Sequence, residues 1–285
     1  MKPPWPTVAI VGVGLIGGSI GLALKDRRLA TRVIGVGRSA ASLAEARRLG
    51  VVDDTATDVA AASAADLVVV ATGVGTIPAM LRAVDGAVRP GTLVTDAGST
   101  KGSIVAAWER HRRRAAGPRG RFVGAHPIAG SHRRGPAAAT ADLFVGRVTV
   151  VTPAAATPSA DVAAVTGFWS ALGSTVFTMP PREHDRILAA TSHAPHVVAA
   201  AIAAATPAEC RRFTAGGWRD TTRIAAGDPD LWADILLDNR AGVARALGRI
   251  AGVTEKFRVA LEANDRRRLV ALLSRAKEDR DAVGS

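Results

Sequence analysis

The 285-residue chain has one cysteine, no tyrosine and few aromatic residues, Phe, Trp and Tyr together making 4% of it. A single thiol, Cys210, excludes an internal disulfide framework and any metal site built from clustered thiolates. It is expected to be a small, buried apolar residue. No uninterrupted apolar run reaches the roughly 18 residues of a membrane span, so no membrane partner is expected. The first six residues carry one lysine and three prolines and no apolar core, so no secretory signal is expected either. A cytoplasmic location follows by default. Internal repeats and low-complexity tails are also missing.

Charge is not lacking. The formal net charge is +12, a balance that suits nucleic acid, a membrane surface or small anionic ligands. The chain is also rich in arginine and alanine and poor in lysine, as a GC-rich coding bias produces. The densest basic cluster is Arg110, Arg112, Arg113, Arg114, Arg119 and Arg121, accompanied by Trp108 alone. A nucleic-acid surface needs basic residues recurring along a face with stacking rings between them. The cluster reads instead as a solvated helix end, and no nucleic-acid partner is expected. Small anions remain.

Two domains suit the length. Short apolar or β-branched runs predict strands at Thr7–Val11, Val33–Val36, Asp66–Ala71, Thr92–Thr95, Phe122–Gly124, Val148–Val151 and Ser174–Phe177. Helical stretches lie between them: Leu15–Arg28, Ala41–Leu49 closed by Gly50, one opening at Pro78, Lys101–Arg114 and Asp161–Leu172. This alternation predicts a mostly parallel sheet of the Rossmann type over residues 1–178. From Arg182 to Lys277 the periodicity is purely helical, with breaks near Thr206-Pro207, Gly216-Gly217 and Gly227-Asp228-Pro229, so residues 179–285 are expected to form an all-helical domain.

Gly12-Val13-Gly14-Leu15-Ile16-Gly17 is G-x-G-x-x-G placed directly after a strand and at the opening of a helix. Gly12 allows the tight turn, Gly14 lets backbone approach a pyrophosphate, and Gly17 lets helix pack on strand. Unpaired N–H groups, those of Leu15 and Ile16 among them, then face the phosphates. About 20 residues on, where a dinucleotide site with a free ribose 2′-hydroxyl carries a carboxylate, the chain has Gly37, Arg38 and Ser39. A guanidinium and a hydroxyl there favour NADP. Arg38 stacked on adenine, with NAD as cofactor, is the alternative.

Four other segments are dense in polar residues. Asp96-Ala97-Gly98-Ser99-Thr100-Lys101 ends a strand at the carboxyl edge of the sheet, where Ser99 is a ligand group or a helix N-cap. His126-Pro127-Ile128-Ala129-Gly130-Ser131 offers an acid–base histidine, with an ordinary pKa of about 6.5. In Ser192-His193-Ala194-Pro195-His196, Ser192 and His196 share a helix face and His193 points to packing or surface. In Asp220-Thr221-Thr222-Arg223, Arg223 presents a fork to a carboxylate ligand or pairs with Asp220 or Asp228. With no H-E-x-x-H and no cysteine ligands, no metal is expected.

Taken together, these stretches resemble the prephenate/arogenate dehydrogenase family of tyrosine biosynthesis: V-G-x-G-L-I-G-G-S (Val11–Ser19), D-x-G-S-x-K (Asp96–Lys101), H-P-I-A-G-S (His126–Ser131), H-D-x-x-x-A-x-x-S-H-x-P-H (His184–His196) and T-R-I-A-x-x-D-P-x-x-W (Thr222–Trp232). The resemblance implies an enzyme that decarboxylates prephenate or arogenate oxidatively, with hydride transfer to NAD or NADP. His126 would be the base at the substrate's C4 hydroxyl, oriented by Ser99. Ser192, His196 and Arg223 would bind the anionic substrate, and Thr72 would join Gly12, Gly14, Leu15, Ile16, Gly17, Arg38 and Ser39 at the cofactor. The resemblance also implies a homodimer through the helical domain, with His196–Ala205 and Trp232–Leu237 as candidate surfaces. The chain departs from the family at His132, where glutamate is common, at Gly73, where proline is common, and at Ala194, where leucine is frequent. No residues are left for a chorismate mutase domain, and no strand pattern suggests a regulatory one, so any feedback by tyrosine is expected at the active site. The nearest rival is a dehydrogenase of the 3-hydroxyacid type with a mid-chain catalytic lysine, and no lysine lies between Lys101 and Lys256. A non-catalytic dinucleotide sensor is the rival from another class.

Overall fold

The computed structural model describes residues 3–114, 119–131 and 133–283. The departure at His132 lies outside them. In chain order the first half runs β1 (Thr7–Val11), α1 (Leu15–Asp26), β2 (Arg32–Val36), α2 (Ala40–Arg48), β3 (Asp54–Ala56), β4 (Leu67–Val70), α3 (Ile77–Ala87), β5 (Leu93–Asp96), α4 (Gly102–Arg114), β6 (Arg121–Pro127), β7 (Val148–Thr152), α5 (Ser159–Ala171) and β8 (Thr175–Thr178). The strands form one sheet in the order β3-β2-β1-β4-β5-β6-β7-β8. Every neighbouring pair is parallel except β6 with β7. The order reverses between β1 and β4, and there the carboxyl ends of the strands open a crevice.

The central strands read as unbroken apolar runs because both of their faces are covered. Val8 and Ile10 point into one core with Leu24, Phe168 and Trp169, while Ala9 and Val11 point into the other with Leu81, Ile104 and Trp108. Each such aliphatic side chain contributes about 1.5–3 kcal/mol when fully buried. The scarce aromatics go largely to these cores, where Phe168 meets Trp169 edge-on at 5.3 Å and Trp108 meets Phe122 at 5.2 Å. The basic cluster is partly neutralised in place: His111 and Arg119 approach the buried Asp85, and Arg121 pairs with Asp161 at 2.5 Å. Arg110, Arg113 and Arg114 remain exposed at the end of α4.

Two elements differ from the sequence expectation. β3 carries no apolar run, and it is a strand because its backbone pairs with β2, Ile34 opposite Asp54. β6 runs to Pro127, so His126 sits within a strand, opposite Val150 of the antiparallel β7, and not after one.

The second half is helical: α6 (Pro181–Leu188), a five-residue π-turn at Ala189–His193, α7 (Ala194–Ala205), α8 (Gly216–Thr222), α9 (Pro229–Asp238), α10 (Arg240–Glu262) and α11 (Arg266–Asp281). Gly216-Gly217 opens α8 where a break was expected. Asp228 caps α9, its carboxylate accepting from the Leu231 amide at 2.7 Å, and Pro229 takes the first turn. Pro181–Ala205 forms a continuous helical run of 25 residues with a mean hydropathy of 1.5 over its most apolar stretch. By length and composition that run is long and apolar enough to cross a membrane, although Arg182, Glu183, Asp185 and Arg186 interrupt its apolar residues. Its His184, Asp185 and His193 are, however, hydrogen-bonded to residues of other elements. Cys210 is not buried. It is exposed, because the short turn Ala208–Phe213 that carries it buries none of its residues.

Candidate active site

The glycine loop joins β1 to α1 at the crevice. Gly12 has φ +99°, and a Cβ there would lie 2.7 Å from the Ala71 carbonyl oxygen. At Gly17 a Cβ would fall 2.1 Å from the Gly12 oxygen, so helix and turn touch only because both residues are glycine. Gly14 is the opposite case. Nothing lies within 4 Å of where its Cβ would be, and no side chain caps α1. Leu15 and Ile16 follow, half-buried, and the first N–H groups of the helix, with the positive end of its dipole, face this open space. The adjoining cleft has a volume of about 1270 Å³, and its lining includes Gly12, Gly14, Arg38, Ser39 and Thr72. An open approach to backbone donors at a strand–helix switch point fits a dinucleotide pyrophosphate.

Arg38 is exposed at the rim beyond β2. The Ser39 hydroxyl is partly occupied, accepting from the Ser42 amide at 3.2 Å to cap α2. Asp58 lines the same cleft, its carboxylate accepting from the Ala60 amide at 2.9 Å. The Thr72 hydroxyl lies 2.9 Å from that of Thr76.

Polar groups converge where β5, β6 and α6 meet. Lys101 and Asp96 are both fully buried and ion-paired. The Lys101 ammonium also donates to the Ala125 carbonyl at 2.8 Å, and Asp96 accepts from the Ala125 amide at 3.1 Å. This pair fixes the residue next to His126. His126 itself is half-buried, with Nδ1 2.9 Å from Nε2 of the fully buried His184. His184 Nδ1 lies 2.8 Å from a carboxylate oxygen of Asp185. That carboxylate accepts from the backbone amides of Lys101 and Gly102, each at 2.8 Å. Asp185 from α6 therefore occupies the N-terminus of α4, where Ser99 was one candidate for the cap. Ser99 is half-buried, and its hydroxyl hydrogen-bonds to no described residue.

Burial holds the His126 pKa well below 6.5, and the neighbouring His184, Lys101 and His193 push it the same way. His184 is also lowered, by burial, against the opposing pull of Asp185. At neutral pH His126 is an uncharged imidazole, the form that accepts a proton.

In the helical half, the π-turn carries Ser192 half-buried and passes into α7, where His196 stacks on Trp232 at 3.5 Å and 14°. Gly227 makes that stack possible, since a Cβ there would lie 2.5 Å from the indole nitrogen. His196 Nδ1 is buried and has no hydrogen-bond partner among the described residues. His193 points to packing, as expected: it is buried, Asn239 donates to its Nδ1 at 3.2 Å, and its pKa falls to about 4, chiefly through burial. Arg223 lies exposed on a turn that packs against α7. Neither Asp220 nor Asp228 takes it, and Asp228 is ion-paired with Arg134 from the loop beyond His126.

Sequence reasoning missed His184 and Asp185 as site residues, although their H-D pair stood in one of the motifs. The signal was a titratable couple opening a run otherwise rich in alanine.

A family model for the nucleotide-binding domain of prephenate dehydrogenase matches residues 20–178, and one for the dimerization domain of prephenate dehydrogenase matches residues 180–275. The chain is 34% identical to a prephenate dehydrogenase of Bacillus subtilis over 97% of this chain and 76% of that protein. It is 32% identical to a cyclohexadienyl dehydrogenase of Zymomonas mobilis over 90% and 89%. Among solved structures it resembles Aquifex aeolicus prephenate dehydrogenase in complex with hydroxyphenyl propionate and NAD+, with a TM-score of 0.87, 29% identity and 98% of each chain covered. It also resembles Synechocystis arogenate dehydrogenase, with a TM-score of 0.81, 26% identity and coverage of 97% and 99%.

Proposed function

The chain belongs to the prephenate dehydrogenase family, and from that premise we propose how its own residues carry out the family's reaction. It is an NAD(P)-dependent oxidoreductase of tyrosine biosynthesis that decarboxylates prephenate or arogenate oxidatively. The nicotinamide ring, when bound, supplies the hydride acceptor. The observation that carries the assignment of roles is His126: uncharged, half-open and, among the described residues, hydrogen-bonded through Nδ1 alone.

His126 Nε2 takes the proton of the substrate's C4 hydroxyl as the C4 hydride departs. The electrons of the C1–carboxylate bond then enter the ring and carbon dioxide leaves. The ring becomes a phenolate, to which His126 returns the proton. Aromatisation drives the sequence, so the protein's task is positioning and charge. The exposed fork of Arg223 holds a substrate carboxylate, at roughly 1.5–3 kcal/mol for hydrogen bonds to a charged group. Ser192, His196 and Ser99 supply further polar groups around the substrate. The glycine loop with Leu15 and Ile16 receives the pyrophosphate, and Thr72 borders it. Arg38 and Ser39 favour NADP.

We assign residues 1–178 to the cofactor domain, residues 179–285 to the helical one, and a cytoplasmic location to the whole. The helical domain exposes Leu237, Val253, Leu261, Val270 and Leu273. Such apolar surface supports a homodimer through this half, with a monomer in light scattering as the contrary result.

Reduced-nicotinamide formation by the purified protein, with prephenate and with arogenate and each with NAD and NADP, tests the reading. Turnover in one of the four combinations is expected, the best of them naming substrate and cofactor. Cofactor binding without turnover in all four would sink the assignment.

A further inference from the structure

A line of hydrogen bonds runs from the N-terminus of α4 through Asp185 and His184 to His126, and its direction is set at one end. The Asp185 carboxylate already accepts the amides of Lys101 and Gly102. Burial pushes this carboxyl up, but the bonds from His184 and from the two amides outweigh burial and hold it below its ordinary value. It is therefore ionised at neutral pH and has no proton to give. Its backbone is fixed as well, since Asn239 donates to the Asp185 carbonyl at 2.7 Å. Gly102 lets the carboxylate come this close, because a Cβ there would lie 2.7 Å from the carboxylate oxygen.

We infer that Asp185 and His184 are positioning residues that hold His126 as its Nδ1–H tautomer and so present a bare Nε2 to the substrate hydroxyl. The inference deepens the proposed function and rests on its reading of His126 as the base. A carboxylate facing His184 Nδ1 at 2.8 Å requires a proton on that nitrogen. Neutral His184 then has only a lone pair at Nε2. The 2.9 Å contact with His126 Nδ1 must hold one proton, so His126 donates it. The reverse order would set two acceptors against each other at the Asp185 end. Charge supports the same state. Among the described residues, the charged or titratable groups facing His126 are His184 on α6, His193 on the π-turn and Lys101 before α4, all of which disfavour a protonated imidazole. Around His184 stand Asp185, Lys101 and Asp96.

Nitrogen-15 NMR of the labelled wild-type holoenzyme reads the tautomer directly. The chain has six histidines, and the His126 resonance is the one lost in His126→Asn. The expected spectrum has the proton on Nδ1, and a proton on Nε2 overturns the inference. Kinetics supply the second arm. In Asp185→Asn an NH2 group replaces one of the two oxygens, so at least one of the three donors, His184 Nδ1 and the amides of Lys101 and Gly102, loses its acceptor and the hold on the His184 tautomer weakens. Turnover is expected to fall, by up to about 10²–10⁴-fold where the histidine takes the wrong tautomer. KM for the cofactor should stay near wild type, and the acid limb of kcat/KM should move to lower pH. His184→Gln keeps an acceptor and is expected to retain at least about tenfold more turnover than His184→Leu. Wild-type kcat and an unmoved acid limb in Asp185→Asn would remove the positioning role and leave the base reading intact. Retained turnover in His126→Asn would remove the base reading instead.

Discussion

In the cofactor cleft the working groups are backbone atoms drawn from six consecutive residues, Gly12 to Gly17. At the domain junction the chain joins His126 to His184 and Lys101 to Asp185, partners 58 and 84 residues apart. The cleft needs the absence of side chains: a Cβ at Gly17 would meet backbone 2.1 Å away, while at Gly14 nothing lies within 4 Å. The junction needs particular side chains, with protons on particular nitrogens. A local motif can build the first. Only the docking of one domain on the other builds the second, with α6 delivering both His184 and the cap of α4. Binding and proton transfer should therefore be separable by mutation.

The widest separation is expected from His126→Asn. Turnover should fall by about 10²–10⁴-fold, the loss of a positioned acid–base group, while a cofactor titration by fluorescence stays as in wild type. Equal losses in both would erase the distinction between the regions. Gly17→Ala should do the reverse. Its new methyl meets the Gly12 carbonyl, which is backbone and cannot swing aside, so the loop must shift at a cost of up to about 3 kcal/mol. Cofactor affinity and Tm should drop together, while the His126 tautomer in the apoprotein stays unchanged. Wild-type affinity in Gly17→Ala would mean that the loop is not the pyrophosphate site.

The same contrast decides what the sequence made legible. G-x-G-x-x-G after a strand announces its own geometry because turn, helix start and phosphate approach all lie within one local segment. The strand carrying His126 was drawn too short, because its last residues are paired only through the antiparallel β7, a partner no local pattern names. Ser99 was read as a cap since it stands just before a helix, and as an orienting group through the family resemblance. The cap came instead from Asp185, which in sequence looks like any charged residue opening a helix. Cys210 was placed in a core by residue type, and its turn lies on the surface. Arg223 was read as a carboxylate ligand or as a partner of Asp220 or Asp228, and in the structure Asp228 pairs instead with Arg134, a loop residue that no local pattern names.

Acid should damage the junction before the cleft. His126, His184 and His193 are all held below 6.5 in the folded chain, chiefly by burial, His193 to about 4. The unfolded chain then binds more protons than the folded one between those values. The contribution of these neutral histidines is complete above about pH 6.5 and is lost as pH falls from there toward 4. Each unit of displacement amounts to about 1.4 kcal/mol. Urea unfolding at pH 7.5, 6 and 5 should give falling stability in the wild type and a smaller fall in His193→Gln. An equal fall in both would assign the loss to other groups.

The smallest effect is expected at the rim of the cleft, from Arg38→Ala. The guanidinium is exposed, so water screens whatever charge it meets and its contribution should be about 1 kcal/mol or less. Asp58 lines the same cleft, and its carboxylate would repel a 2′-phosphate bound nearby. The neighbouring Ser39 hydroxyl already caps α2. Discrimination between NADP and NAD therefore falls mainly to Arg38 and should be modest, with Arg38→Ala reducing the ratio of kcat/KM for NADP over NAD by about fivefold. If Arg38 instead stacks on adenine, it contributes to both cofactors alike. The two values of kcat/KM would then fall together, and their ratio would hold. The ratio, rather than either rate, separates a phosphate ligand from a stacking plane. In both cases the acid limb set by His126 should stay where it is, because nothing at the rim touches the line from Asp185 through His184 to His126.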